Sequence, residues 1–241
     1  ISVGPPFYQK LIVPFLIFFL IFMAFEKKLK WIHNKIKKIS LLEIFFFFSS
    51  IIISYFLVKK SGITYLFLTL LLAFSILLLV SSIFEIFSKN ILISQKISHF
   101  GFSLLIISII LNGMFSKELS YNMKVGDEVN FFEKKIKFKS LSTFQESNYK
   151  SLRGEFEIKN INSKILTFNP EIRIYNQPNI LTSEADIITN IFSDNFLVFN
   201  LLSEEGFFNI RYQQKPFMLL IWISTFLIAI GGVFSLKKNN L

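Results

Sequence analysis

The 241-residue chain is 52% apolar, holds 32 phenylalanines and carries a formal charge of +10, which places it outside the range of ordinary soluble domains and among membrane proteins. It has no cysteine, so it can form no disulfide, thiolate metal site, thiol nucleophile or Cys-X-X-Cys redox pair, and any redox chemistry must come from a bound cofactor. The charge does not point to nucleic acid: residues 116–215 hold 13 basic and 13 acidic side chains, leaving 13 basic and 3 acidic ones among the apolar segments, the distribution of topology determinants.

The sequence opens on Ile1 with no basic n-region and no short apolar core before a cleavage site, so we expect a fragment or one half of a split protein. Five apolar segments follow, roughly Phe7 to Phe25, Ile39 to Val58, Ile63 to Phe87, Ile97 to Phe115 and Phe217 to Leu236. About 20 helical residues cover the roughly 30 Å of hydrocarbon in a bilayer. The loop "EKKLKWIHNKIKKIS" holds six lysines, "SKNILISQK" two and the tail "KKNNL" two, while the opposite connections hold only Lys10, Lys59 and Lys60. The positive-inside rule then sets the N-terminus outside and the C-terminus inside, in agreement with five crossings.

Between the fourth and fifth segments the period changes to two. In "RGEFEIKN", Phe156 and Ile158 alternate with Glu155, Glu157 and Lys159, the pattern of a half-buried strand. Further strands are expected at "DEVNFF", "KIKFKSL", "EIRIY", "NFLVFNLL" and "GFFNIRY", with turns at "NINS", "NQPN" and "SDN". Five or six short strands predict one small antiparallel sandwich or barrel. The expected fold is therefore a polytopic α-helical membrane protein of five transmembrane helices with one small extracytoplasmic β domain. Its parts are a four-helix region at 1–115, the β domain at 116–215, and a final helix with an inner tail at 216–241.

His99, in "KISHFGFSLLIIS", is the histidine of a spanning segment. An ionisable side chain there is a candidate for function, and neutral imidazole is a standard axial ligand of haem. The competing reading starts the helix at His99 and leaves the ring wet among headgroups. Glu43, Glu85 and His99 share one depth near the inner face, so two carboxylates could orient an imidazole or carry protons. Alternatively the glutamates snorkel at the interface. His33, among lysines, reads as a surface histidine, and Trp31 and Trp222 as interfacial anchors. All three arginines, Arg153, Arg173 and Arg211, fall in the β region. Their planar forks suit carboxylates such as haem propionates, or else pair internally with Glu155 or Glu171. "GGV" in the last segment is a packing device. The sequence carries no phosphate-binding glycine loop, no Ser-His-Asp order and no metal cluster.

The segments "ISVGPPFYQKLIVPFL", "SHFGFSLLIISIILNG", "MKVGDEVNF", "ESNYKSLRGEFEI", "NPEIRIYNQPNILTSEADI" and "EEGFFNIRYQQKPFMLLIWISTFLIAIGGVFSL" resemble the C-terminal part of the CcmF (CycK) family, the haem lyase subunit of cytochrome c maturation. The resemblance covers nearly the whole chain. The stretch from Pro170 to Ala185 and the Lys-Pro-Phe entry to the last helix are its most specific pieces. It implies an inner-membrane protein that takes haem from the chaperone CcmE and attaches it to the Cys-X-X-Cys-His motif of apocytochrome c, beside thiol-handling subunits of the CcmH type. It also implies a membrane b-type haem with His99 as one axial ligand. The family's tryptophan-rich outer segment, its outer histidines and the second membrane histidine belong to the N-terminal part, so the chain alone is expected to be insufficient as a lyase. Glu43, Glu85 and the arginines take no role from the resemblance. The other reading is a non-catalytic membrane adaptor whose β domain docks partners.

Overall fold

The computed structural model describes residues 5–26, 29–30, 35–36, 40–62, 66–89, 91–160, 165–202 and 206–238. The chain divides into two compact units, one built from the helices and the other spanning Ser116–Pro216.

The helical unit contains α1 (Pro5–Phe25), α2 (Leu41–Lys60), α3 (Leu66–Ile86), α4 (Ile93–Phe115) and α5 (Met218–Lys238). Between α1 and α2 a short antiparallel pair forms from β1 (Leu29–Lys30) and β2 (Lys35–Ile36). Trp31 and His33 lie outside the described residues. Four helices, α2 to α5, are long and apolar enough to cross a membrane, while the apolar length of α1 is the shorter run Leu11–Phe25. The helix α3 packs against α1, α2 and α4, and α4 against α5. Accordingly α3 buries the most, with Leu71, Ser75, Leu78, Ser82 and Glu85 recurring every three or four residues on its covered side. The serines buried in these helices do not need partners from other elements. Ser54, Ser75, Ser82, Ser103 and Ser108 each donate to a carbonyl one turn earlier at 2.7–3.0 Å, which satisfies their hydroxyls where no water competes.

Among the described residues the β unit holds ten strands, against five or six expected: β3 (Lys117–Met123), β4 (Glu128–Phe131), β5 (Lys134–Gln145), β6 (Tyr149–Asn160), β7 (Leu166–Phe168), β8 (Glu171–Tyr175), β9 (Leu181–Glu184), β10 (Asp186–Thr189), β11 (Ser193–Leu201) and β12 (Phe208–Pro216). They form two antiparallel sheets, ordered β10-β11-β12-β3 and β4-β5-β6-β8-β9, with β7 paired to β6. Only Ala185 separates β9, at the edge of one sheet, from β10, at the edge of the other.

Aromatic rings fill the space between the sheets. Phe138 and Phe156 stack with centroids 4.3 Å apart, and Phe199 and Phe208 meet Phe138 edge-on. Phe156 and Ile158 are buried in this core, and on β6 their neighbours Glu155 and Glu157 pair with Lys139 at 3.1 and 3.0 Å. The segment "SDN", expected as a turn, is instead the start of β11. Asn195 is buried there because its amide oxygen accepts from Tyr212 Oη at 2.7 Å, a tertiary bond that outweighs local turn preference. The expected turn at "NINS" lies at residues 160–163, of which 161–163 fall outside the described residues.

Candidate functional site

The helix α4 starts at Ile93 rather than Ile97, so His99 lies almost two turns inside it. The polar residues Ser94, Gln95 and Lys96 continue the helix instead of ending it, because α5 packs along this turn. The site thus forms where the last turn of α3, the second turn of α4 and the end of α1 converge.

His99 Nδ1 lies 3.1 Å from Glu85 Oε2, and both side chains are covered, at 12% and 2% exposure. A carboxylate only accepts hydrogen bonds, so with Glu85 ionised this contact goes with the imidazole tautomer that carries its proton on Nδ1. In that tautomer the lone pair is on Nε2, which faces Glu26 Oε2 at 3.7 Å, outside hydrogen-bond distance. Glu26 is half exposed and is oriented by Gln95, whose Nε2 donates to its Oε1 at 3.2 Å. Lys96 Nζ donates to the Ile86 carbonyl at 3.1 Å, tying the start of α4 to the end of α3.

Sequence reasoning grouped Glu43 and Glu85 with His99. The structure places Glu85 against the ring, but Glu43 closes a capping box at the start of α2: Ser40 N donates to Glu43 Oε2 at 2.8 Å, and Glu43 N to Ser40 Oγ at 3.3 Å. Glu43 also lines a cavity of about 170 Å³ with Phe25, Phe46, Leu77, Ser81 and Phe84. Glu26 was missed because it reads as the first residue of a lysine-rich loop. The available signal was scarcity, since Glu26, Glu43 and Glu85 are the three acids outside residues 116–215.

The missing side chain of Gly101 admits α5: a Cβ there would stand 3.1 Å from Ile228 N, Ile228 Cγ1 and Leu227 Cβ. Gly231 of α5 answers it. A Cβ there would overlap Ser98 Oγ and lie 3.0 Å from the Ser94 carbonyl oxygen, so the "GGV" segment packs as small residues do between membrane helices. The backbone bearing His99 is therefore clamped on one side by α5 and on the other by Glu85.

The donor set fits haem iron in one respect that the fold controls: a covered imidazole with a carboxylate behind Nδ1 and Nε2 without a hydrogen bond is the arrangement of an axial ligand. Among the described residues no group of three or more His, Cys, Asp or Glu side chains that could hold a metal ion is present.

The arginines of the β unit are engaged in ion pairs. Arg153 Nε donates to Glu171 Oε1 at 2.8 Å, joined by its Nη2, and Arg173 Nε donates to Glu171 Oε2 at 3.0 Å. Burial would push the Glu171 carboxyl up, but the bonds from Arg153 and Arg173 outweigh it and hold the group below its ordinary value. The guanidinium groups also lie over rings, Arg153 over Phe144 at 4.5 Å and Arg173 over Tyr149 at 4.9 Å. Arg211 pairs with Glu118, 2.5 Å from Nε to Oε1. At the far end of the core, Lys134 Nζ donates to Tyr212 Oη at 2.8 Å and Gln214 Oε1 at 3.0 Å. Burial, then Lys117, pushes the Lys134 amine down.

Residues 114–216 match the family model described as the CcmF C-terminal β-sandwich. The cytochrome c-type biogenesis protein CcmF of Escherichia coli (strain K12) is 23% identical over 248 residues, covering 98% of this chain and 38% of that protein. CcmF of Pseudomonas aeruginosa is 26% identical over 141 residues, 58% of this chain and 22% of that one. CycK of Bradyrhizobium diazoefficiens is 27% identical over 145 residues, 60% and 22% of the respective chains. A solved structure titled "Cytochrome c Heme Lyase CcmF" shares the fold with a TM-score of 0.76 and 13% identity, over 96% of this chain and 40% of its own. The chain thus spans between 22% and 38% of the length of these curated relatives. Residues 114–216 therefore belong to the CcmF C-terminal β-sandwich family, and the chain as a whole is similar to the C-terminal part of CcmF proteins.

Proposed function

We propose that the chain is the C-terminal part of a cytochrome c haem lyase, acting together with an N-terminal part, and that His99 is one axial ligand of a b-type haem in the membrane. In this reading the assembled protein receives haem from the chaperone CcmE and delivers it to the Cys-X-X-Cys-His motif of apocytochrome c, whose thiols are handled by CcmH-type subunits. The inner membrane is crossed five times, α1 included, with the N-terminus outside, the C-terminus inside and the sandwich on the outer face.

The observation that carries the reading is the His99–Glu85 contact of 3.1 Å. Glu85 holds the proton on Nδ1 and fixes the ring plane. His99 presents Nε2, and α5, pressed against Gly101 and Ser98, keeps the backbone from yielding. When bound, the b-type haem supplies one-electron transfer toward the incoming haem iron. One histidine supplies one axial bond, so the second comes from the N-terminal part.

The test is a spectrum. Expressed with its N-terminal part, the chain should give a low-spin six-coordinate b-type signal, which His99→Ala abolishes and His33→Ala leaves intact. Loss of the signal with His33→Ala but not with His99→Ala would overturn the assignment, and a colourless complex would favour the adaptor reading.

A further inference from the structure

Phe132, Ile191 and Phe192 are 72%, 74% and 79% exposed, whereas every other exposed large apolar side chain described in the β unit is at 51% or below. They come from two separate hairpins. Phe132 lies in the two-residue turn joining β4 to β5, and Ile191 and Phe192 lie in the turn joining β10 to β11, closed by Asn190 N donating to the Ser193 carbonyl at 3.0 Å. Phe132 has a φ of 52°, a left-handed conformation that glycine or asparagine adopts with less strain. A turn shaped by folding alone has no need of a bulky ring there.

The register brings both turns to one end of the sandwich. Ser193 stands opposite Pro216, the last residue of β12. Lys134, just past the first turn, reaches Gln214 near the same strand end, and Lys117, the first residue of β3, holds its Nζ 4.2 Å over the Phe132 ring. Ser116 alone separates β3 from α4, and Phe217 alone separates β12 from α5. Both helices are long and apolar enough to cross a membrane. A single residue extends the chain by about 3.5 Å, so helices that end at a bilayer surface tether this end of the sandwich to that surface by both of its connections. Of the basic residues here, Lys134 is turned inward to Tyr212 and Gln214, and Lys117 and Lys215 are placed for anionic headgroups. Lys215 Nζ lies 4.9 Å over Phe196, a second cation over a ring at this end, while the acidic residues nearby are Glu118, paired with Arg211, Glu133 and Asp194.

We infer that this end of the sandwich is seated in the lipid headgroup layer, with Phe132, Ile191 and Phe192 inserted toward the acyl chains and Lys117 and Lys215 at the phosphates. Aromatic and aliphatic tips beside lysines are the composition of an interfacial anchor, and apolar side chains so exposed call for a partner surface. The inference rests on α4 and α5 crossing the bilayer and is independent of the haem ligand. It gives the sandwich a fixed tilt on the membrane instead of free rotation on two tethers.

The absence of cysteine makes the test direct. Single nitroxide labels at Phe132→Cys, Ile191→Cys and Phe192→Cys are compared with one at Val125→Cys, in the turn after β3 at the opposite end, in the full chain reconstituted into phosphatidylcholine–phosphatidylglycerol vesicles. A label at Phe226→Cys, exposed on α5, reports whether that helix is in the bilayer. Power saturation should show oxygen dominating over a water-soluble nickel chelate at 132, 191, 192 and 226, and the reverse at 125. Chelate-dominated relaxation at 191 and 192 overturns the inference. So does poor access of both agents there, which would mean that protein covers the tips, and so does chelate access at 226, which removes the tether.

Discussion

His99 of α4 and Glu85 of α3 lie 3.1 Å apart, and Glu85 is 1% exposed. A covered carboxylate beside an imidazole holds the ring in one tautomer and one plane, and outer contacts of this kind are worth about 10–100-fold in the affinity of a metal-bound group. In the reconstituted pair, Glu85→Ala should weaken haem retention by that order, measured by titration with free haem. Glu85→Gln should retain most of the binding because its amide oxygen still accepts from Nδ1. The loss of negative charge should nevertheless raise the midpoint potential, a shift that a purely structural role for Glu85 would not produce.

The contact of α4 with α5 gives a prediction with a built-in control. At Gly231 a Cβ would overlap Ser98 Oγ, while at Gly232 it would meet nothing within 4 Å. Gly231→Ala should therefore cost about 1–3 kcal/mol, the usual range for overpacking, and lower the melting midpoint in detergent by several degrees. Gly232→Ala should leave it unchanged. Because Ser98 precedes His99, Gly231→Leu should also perturb the b-haem spectrum.

Glu171 sets an acid limit on the β unit. Burial opposes its ionisation, but Arg153 and Arg173 pull the carboxyl below the ordinary 4.5. A carboxyl depressed in the folded state stabilises it above the unfolded pKa, and that stabilisation is lost as pH falls through the folded pKa. The difference in melting midpoint between the native chain and Glu171→Gln should be largest near neutral pH and shrink below pH 4.5. An unchanging difference down to strong acid would mean that the ion pairs with the half-exposed arginines contribute nothing measurable.

Side-specific labelling checks the proposed topology. Single cysteines at Asn148, in the turn between β5 and β6, and at Lys38, in the lysine-rich sequence before α2, should react with a membrane-impermeant maleimide from opposite sides of sealed vesicles. Reaction of both from the same side would remove one crossing from the arrangement.

Long periodic stretches were legible in the sequence, and residues whose structure depends on distant partners were not. Phe156 and Ile158 announce β6 because their alternation with charged neighbours is the inside–outside pattern itself. Four strands were missed: β7 is only three residues long, and β3, β9 and β10 present mixed polar sequences, KELSYNM, LTSE and DIIT, with little fully buried. The strands β3, β9 and β10 are edge strands of their sheets, so each takes its conformation from a neighbour. At the site, His99 was conspicuous as an ionisable residue in an apolar run, and Glu85 shared its depth. The beginning of α4 was placed four residues late because Ser94, Gln95 and Lys96 look like a helix boundary until Gly231 is seen beside Ser98. Glu26 had no local pattern at all, since its place at the imidazole depends on where α1 ends relative to α4.

The run from Leu181 to Thr189 forms an edge of the six-stranded sheet up to Glu184 and an edge of the four-stranded sheet from Asp186. One short extended piece of chain is therefore a seam common to both sheets. The faces of the sandwich cannot shear past each other or open like a book on that side without first tearing hydrogen bonds from β8 or β11. A pull delivered along this seam loads both sheets together, so the sandwich should yield as one body, and a protease that cuts at Ala185 would release both edges in a single event.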